Sequence, residues 1–299
     1  MFEGFSEFNL SVSSEPEVTI HGIKSGTGPP LLLLHGFPQT HHIWHLVAPE
    51  LTSNFSVVCI DLRGYGQSSR PPSSASSNHA PFAKSSMAKD CVAVMSQLGF
   101  EEFSILAHDR GARVAHKLCV DFPELVRKVM LLDICPTLEM YEKTTQLFAT
   151  FYWHWFFLIQ PEPFPESLIL NNLEQFRVRF FGGSGYAGKL DYHPEAMKAY
   201  IEQLMDEDVV HSMCEDYRAA ATVDLKEARE DRKQDKRVKC PMRVLWGKNG
   251  AVGKCFDALA EWGAVSDGSV EGEAVDSGHY IAEEIPEVVL RHAKEFFSS

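Results

Sequence analysis

The stretch Leu106–Val114, LAHDRGARV, holds the residue of this chain best placed for covalent chemistry. Phe103 to Ala107 is apolar and β-prone, Val114 to Val120 continues with helical spacing, and the turn between them falls on His108, Asp109 and Arg110. Small residues flank Asp109 at Ala107, Gly111 and Ala112. A small-x-nucleophile-x-small-small pattern on a strand-to-helix turn lifts one side chain above the carboxyl end of a sheet, and bulkier neighbours would block the sharp bend. Here the lifted group is a carboxylate. A serine alkoxide suits attack on an acyl carbon, whereas an aspartate displaces a leaving group from a saturated carbon and leaves an alkyl ester for water to hydrolyse. Cleavage of a carbon–halogen bond or of an epoxide is the chemistry that follows. The plain alternative is that Asp109 only caps the following helix.

Hydrolysing such an ester needs a base, and the base needs an acid partner. His279, in Asp276-Ser-Gly-His-Tyr280, falls in a turn between the final strand and the final helix, at the same end of the sheet as Asp109. For the acid there are two expected places, after the strand that follows the elbow or after the strand that follows the helical insertion. The second reads Leu245-Trp-Gly-Lys-Asn-Gly-Ala-Val-Gly253 and contains no carboxylate, so Asp133, closing Val129 to Leu132, is the candidate. Backbone N–H groups of Phe37, in the His35-Gly-Phe-Pro38 turn, and of Arg110 are placed to donate to the ester oxygen. Arg110 and Arg113, three apart at the start of one helix, share a face. They could neutralise the nucleophile, or grip a substrate carboxylate in bidentate fashion and fix its α-carbon over Asp109.

The elements that must position these groups alternate strand and helix. Phe5 to Ser13 and Val18 to Ser25 read as an edge hairpin, and Leu31 to Leu34 and Val57 to Ile60 as strands buried on both faces. A helix is expected from Thr40 to Leu51, a loop over Pro71 to Ala83, and an amphipathic helix over Ala88 to Leu98. From Pro136 to about Val223 no buried strand signal occurs, only helical periodicity with aromatic clusters. Residues 136–223 are therefore expected to form a helical cap inserted into a core made of 1–135 and 224–299. Strands then resume at Met242 to Trp246 and at an edge, Ser269 to Val275, with helices over Cys255 to Trp262 and Ala282 to Phe297. The sum is an α/β fold with an eight-stranded, mostly parallel sheet.

With 299 residues the chain suffices for one large α/β domain with an insertion, and its net charge of −13 argues against nucleic acid and against an anionic membrane surface. Seven scattered cysteines read as reduced thiols, and the acidic N-terminus with no apolar run of spanning length makes a cytoplasmic protein the expectation. No cofactor is expected. Gly183-Ser-Gly-Tyr-Ala-Gly188 matches a dinucleotide motif but follows no core strand, Lys226 to Lys239 reads as a solvated return from cap to core, and His41, His42 and His45 read as polar residues at a loop-helix junction rather than metal ligands.

Taken together, these residues resemble the fluoroacetate dehalogenases of the α/β-hydrolase superfamily over nearly the whole chain. The matching motifs are His35-Gly-Phe-Pro-Gln-Thr, Asp61-Leu-Arg-Gly-Tyr-Gly-Gln-Ser, His108-Asp-Arg-Gly-Ala-Arg, Trp153-His-Trp-Phe-Phe, Cys214-Glu-Asp-Tyr-Arg and Ser277-Gly-His. The first, second and last are common to the superfamily, so the specific weight rests on the other three. The resemblance implies Asp109 as nucleophile, His279 as base, Asp133 as its partner, Arg110 with Arg113 as carboxylate clamp, and His154, Trp155 and Tyr217 around the departing halide. It also implies a small anionic 2-halo acid as substrate and a homodimer. Imidazole, indole and phenol each offer a hydrogen bond to the charge developing on a halide. The strongest competing expectation is an epoxide hydrolase, which shares the Asp/His machinery. Such enzymes generally carry an aromatic residue after the nucleophile and two cap tyrosines; here Arg110 replaces the aromatic. A catalytically silent binding protein on the same scaffold is opposed by intact Asp109, His279 and Asp133.

Overall fold

The computed structural model describes residues 1–181 and 191–298. Eight strands form one sheet: β1 (Ser6–Ser14), β2 (Glu17–Ser25), β3 (Pro30–Leu34), β4 (Ser56–Ile60), β5 (Phe103–His108), β6 (Val126–Leu132), β7 (Met242–Gly247) and β8 (Val270–Val275). Their order is β1-β2-β4-β3-β5-β6-β7-β8. β1 pairs with β2, and β2 with β4, in antiparallel fashion, and every other pairing is parallel. The continuous apolar runs of the central strands follow from burial on both faces. Leu32, Leu34, Ile105, Ala107 and Leu131 point into one core, while Leu31, Leu33, Leu106, Met130 and Leu132 point into the other.

This order places a reversal between β3 and β5. From β3 the chain steps outward to β4, then returns across β3 to lay β5 on its other side. The loops leaving the carboxyl ends of two such neighbours diverge, and the crevice between them is where open α/β sheets bind ligands. The turns after β3 and β5 carry Phe37 and Asp109, so the sheet order alone brings these residues together.

Between β6 and β7 the described residues contain helices only, from Thr137–Glu142 through Val223–Lys233. The glycine-rich motif at 183–188 lies outside the described residues. Lys226 to Lys239 forms the end of the last of these helices and the loop back to the sheet. Three expected helices are interrupted. Residues 40–51 make a 3-10 turn, His41–Trp44, and a separate helix, Ala48–Leu51. Residues 255–262 split because Asp257 stops one helix and caps the next, its side chain accepting from the Ala260 N–H. The closing helix divides into Ile281–Glu284 and Pro286–Ser298, since Pro286 has no N–H with which to continue the first. The loop after Pro71 contains two 3-10 turns, Ala75–Ser77 and Ala80–Phe82. No helix of the described residues is long and apolar enough to cross a membrane. All seven cysteines are free thiols and six are buried.

The helix Asp109–Asp121 crosses β3 at close range. A Cβ on Gly111 would lie 2.3 Å from the His35 carbonyl oxygen and 2.7 Å from the Leu34 carbonyl carbon. Both are backbone atoms that cannot swing aside, so Gly111→Ala is expected to lower stability by about 1–3 kcal/mol, the usual cost of overpacking. Urea unfolding measures this, and an unchanged midpoint would show that the helix does not rest on β3.

Candidate active site

Asp109 adopts φ +44°, a left-handed conformation in a residue that is not glycine. His108 before it is extended and the residues after it are helical, so a single residue turns strand into helix. Such a conformation costs on the order of 1–2 kcal/mol. Gly36 permits it, because a Cβ there would stand 2.5 Å from the Asp109 Cβ. The result is a carboxylate held at a fixed point above β5. Its Oδ1 accepts the Phe37 N–H at 3.0 Å. Arg110 lies in the first turn of the helix, where N–H groups have no acceptor within the helix.

On the other oxygen, Oδ2, His279 Nε2 stands 3.9 Å away. His279 Nδ1 donates to Asp133 Oδ2 at 2.6 Å, and Asp133 Oδ1 accepts the Gly247 N–H at 3.0 Å. Asp133 thus binds His279 with one oxygen and the end of β7 with the other, which fixes the imidazole tautomer with Nε2 toward Asp109. All three residues are buried. Burial works to raise the Asp109 pKa, but His279, then His108, Arg113 and Arg110, outweigh it and hold the carboxyl at about 2. Burial works to lower the His279 pKa, yet the Asp133 hydrogen bond and the charges of Asp133 and Asp109 leave it raised.

Arg110 and Arg113 both reach this site, in different ways. Arg110 is fully buried and spends its fork on Asp216: Nε donates to Oδ2 at 2.9 Å and Nη2 to Oδ1 at 2.7 Å. Asp216 also pairs with Lys84 and accepts the Tyr65 hydroxyl at 2.7 Å. Of the Arg110 fork, Nη1 alone has no hydrogen-bond partner among the described residues. Arg113 donates through Nη1 to the Cys135 carbonyl and to Thr137 Oγ1, leaving Nε. Each cation lies over an aromatic ring of the helical segment, Arg110 at 4.2 Å from the Tyr217 centroid and Arg113 at 4.5 Å from that of Trp155.

His154 stacks parallel on Phe37 at 5.9 Å and meets the Tyr217 ring edge-on at 5.7 Å. Burial lowers its pKa to about 3, so the imidazole is neutral near pH 7. Burial likewise holds the Tyr217 phenol protonated, far above its ordinary range. His154, Trp155 and Tyr217 thus converge with the two arginines. Arg110 Nη1, Arg113 Nε, Trp155 Nε1, Tyr217 Oη and Tyr141 Oη are all buried with no hydrogen-bond partner among the described residues. Buried donors are rarely left unpaired, because each costs about 1–3 kcal/mol. Such a concentration around a carboxylate marks a place for an anion.

Sequence reasoning missed Asp216 and Tyr141. Asp216 belongs to the Cys214-Glu-Asp-Tyr-Arg motif, and that motif was its available signal. Tyr141, 4.9 Å from the Trp155 ring, carried no signal that separates it from a packed aromatic. Among the described residues, His21, His41 and Asp61 form a buried group whose ligand-type atoms lie within 4.8 Å of one another. His41 Nδ1 is bonded to Asp61 Oδ1, and the two His21 nitrogens meet Asn9 Oδ1 and Gln67 Nε2. Asp61 also accepts the His41 and Gln67 N–H groups, so the cluster ties two turns together.

Residues 29–284 match the model of the alpha/beta hydrolase fold family. A fluoroacetate dehalogenase from Burkholderia sp is 38% identical over 298 residues, 100% of this chain and 95% of that protein. A soluble epoxide hydrolase from Corynebacterium sp. (strain C12) is 29% identical over 93% of each chain. An alpha/beta-hydrolase structure from Nostoc sp PCC 7120 superimposes with a TM-score of 0.94 at 45% identity, over 100% of this chain and 99% of its own. The chain belongs to the α/β-hydrolase superfamily. Within that superfamily it resembles a fluoroacetate dehalogenase over its full length, and a Pseudomonas aeruginosa structure described as an epoxide hydrolase matches it at 38% identity over 100% of this chain and 97% of its own, with a TM-score of 0.88.

Asp216 neutralises two buried cations at once. Replacing it by Asn takes from Arg110 its bonded carboxylate and leaves Lys84 with Asp224 alone, 3.6 Å away, and stability is expected to fall by about 3–5 kcal/mol, the cost of breaking a buried ion pair. Denaturant titration measures it; a loss below about 1 kcal/mol would contradict the pairing.

Proposed function

We propose that this enzyme hydrolyses the carbon–halogen bond of fluoroacetate, or of another small 2-halo acid, through an ester on Asp109. The observation that carries this reading is the set of unpaired buried donors on two arginines and three aromatic side chains around the Asp109 carboxylate. The substrate carboxylate bridges Arg110 Nη1 and Arg113 Nε, which places the α-carbon at Oδ2. Oδ2 displaces the halide, the carbon–halogen electron pair leaving with it, and His154, Trp155 and Tyr217 donate to the departing ion. Oδ1 is already at the Phe37 N–H, so it becomes the ester carbonyl oxygen without moving. His279 Nε2 then takes a proton from water, which attacks the Asp109 carboxyl carbon. The oxyanion rests on the Phe37 and Arg110 N–H groups; as it collapses, the bond from the carboxyl carbon to the substrate oxygen breaks, that oxygen takes the proton held by His279, and glycolate leaves. In this reading, segment 136–223 is the cap that closes over the substrate.

The order of steps sets its own electrostatics. A base must be neutral when it acts, yet the resting His279 is biased toward its protonated form by Asp133 and Asp109. Alkylation removes the Asp109 charge, so the imidazole pKa falls at the stage when water must be deprotonated.

One observation favours an epoxide hydrolase. Tyr152 and Tyr217 are both buried and both feel the Asp109 charge, as two phenols donating to an epoxide oxygen would. The cation at position 110 and the donors of His154 and Trp155 have no role in that chemistry.

Release of halide and of diol is measured with fluoroacetate, chloroacetate and styrene oxide. Halide from the haloacetates is the expected product, and turnover of the epoxide alone would reject the assignment. The acid limb of single-turnover ester hydrolysis is expected at lower pH than the His279 titration seen by NMR in the resting enzyme. A limb at equal or higher pH would contradict the proposed discharge of Asp109.

A further inference from the structure

The base sits in a loop. Asp276 to Tyr280 belongs to neither helix nor strand, so nothing periodic holds His279 in place. Side chains do so instead. Glu284 Oε2 accepts the Gly278 N–H at 2.6 Å and Oε1 accepts the Tyr280 N–H at 2.8 Å, gripping the amides on both sides of the base. The His279 carbonyl oxygen meets His108 Nε2 at 2.9 Å. Beneath the loop the chain rests on the end of β7, where a Cβ on Gly247 would come within 2.1 Å of the Gly278 carbonyl oxygen. The Gly247 N–H is the group that also holds Asp133.

We propose that Glu284 is the positioning residue of the ester-hydrolysis step. By holding the peptides before and after His279, its carboxylate keeps Nε2 at the place from which it deprotonates the attacking water. The proposal rests on the reading that Asp109 carries the ester. A helix cap explains only half of the contact. Tyr280 precedes the short helix Ile281–Glu284, and a bond to its N–H is ordinary capping. The second oxygen reaches back to Gly278, two residues before Tyr280, where it contributes nothing to the cap. Ionised acceptors of this kind bind amides more strongly than neutral ones.

The signature is confined to one step. Displacement by Asp109 uses no imidazole, whereas hydrolysis of the ester does. Glu284→Gln keeps the size of the side chain and one acceptor oxygen but loses the charge and the second acceptor. Rapid-quench intact mass spectrometry follows the Asp109 adduct in wild type, Glu284→Gln and His279→Ala. The probes are chloroacetate and, separately, styrene oxide, since either electrophile leaves an ester on Asp109. In Glu284→Gln, adduct formation is expected within twofold of wild type and adduct decay about 10- to 100-fold slower, as for a misplaced catalytic group. Decay within twofold of wild type overturns the proposal. So does an equal fall in both steps, which is what general loss of folded protein would produce. Absence of any adduct in His279→Ala with both probes removes the Asp109 ester itself, an outcome distinct from an adduct that forms and decays normally in Glu284→Gln.

Discussion

A single residue forced into left-handed backbone, Asp109, sets the geometry of everything around it. The conformation is unfavourable by itself, and it persists because the surroundings leave no alternative. The helix after it is pressed against β3 through Gly111, the loop after β3 comes within contact of its Cβ through Gly36, and the Phe37 N–H holds one oxygen. These contacts assign different work to the two oxygens. Oδ1 is committed to a backbone donor, while Oδ2 faces the imidazole. In the proposed mechanism, where Asp109 becomes an ester and then a carboxylate again, its two oxygens need not exchange places.

The second constraint is charge buried without water. Asp109, Arg110, Arg113, Lys84 and Asp216 are all nearly inaccessible, and isolated charges at such places would be ruinous. Asp216 resolves most of this by binding Arg110 and Lys84 together, and Tyr65 donates to it as well. Arg113 has no acidic side chain bonded to it among the described residues. Burial pulls its pKa down, with the charge of Asp109 opposing. In the proposed function a substrate carboxylate supplies the missing partner, despite the acidity of the whole chain. The aromatic rings over each guanidinium add cation–π stabilisation without offering a competing acceptor.

How far this was legible in the sequence depends on the range of the interaction. Asp109 and Asp133 could be placed because each directly follows a strand, and His279 because a Ser-Gly-His turn separates the last strand from the last helix. The sheet was legible for a similar reason: runs such as Leu31 to Leu34 are too apolar for any position but the interior. Pro286 also carried its own signal against one continuous closing helix, as did Asp257 against the one before. By contrast, Arg110 and Asp216 are 106 positions apart, and nothing local to either reveals that one occupies the other's fork. The Glu284 contacts are short in sequence, yet they look like capping until the loop is seen in three dimensions. The orphaned hydroxyl of Tyr141 is legible only from what fails to surround it.

The central claim is that an aspartate oxygen, not water, makes the first bond to the substrate carbon. A single turnover of chloroacetate in oxygen-18 water, with enzyme in excess, tests it most directly. The account predicts unlabelled hydroxyl oxygen in the glycolate of that first turnover and the label in the peptide containing Asp109. Heavy oxygen in the first glycolate, with Asp109 unlabelled, would mean that water attacks carbon directly and would contradict it.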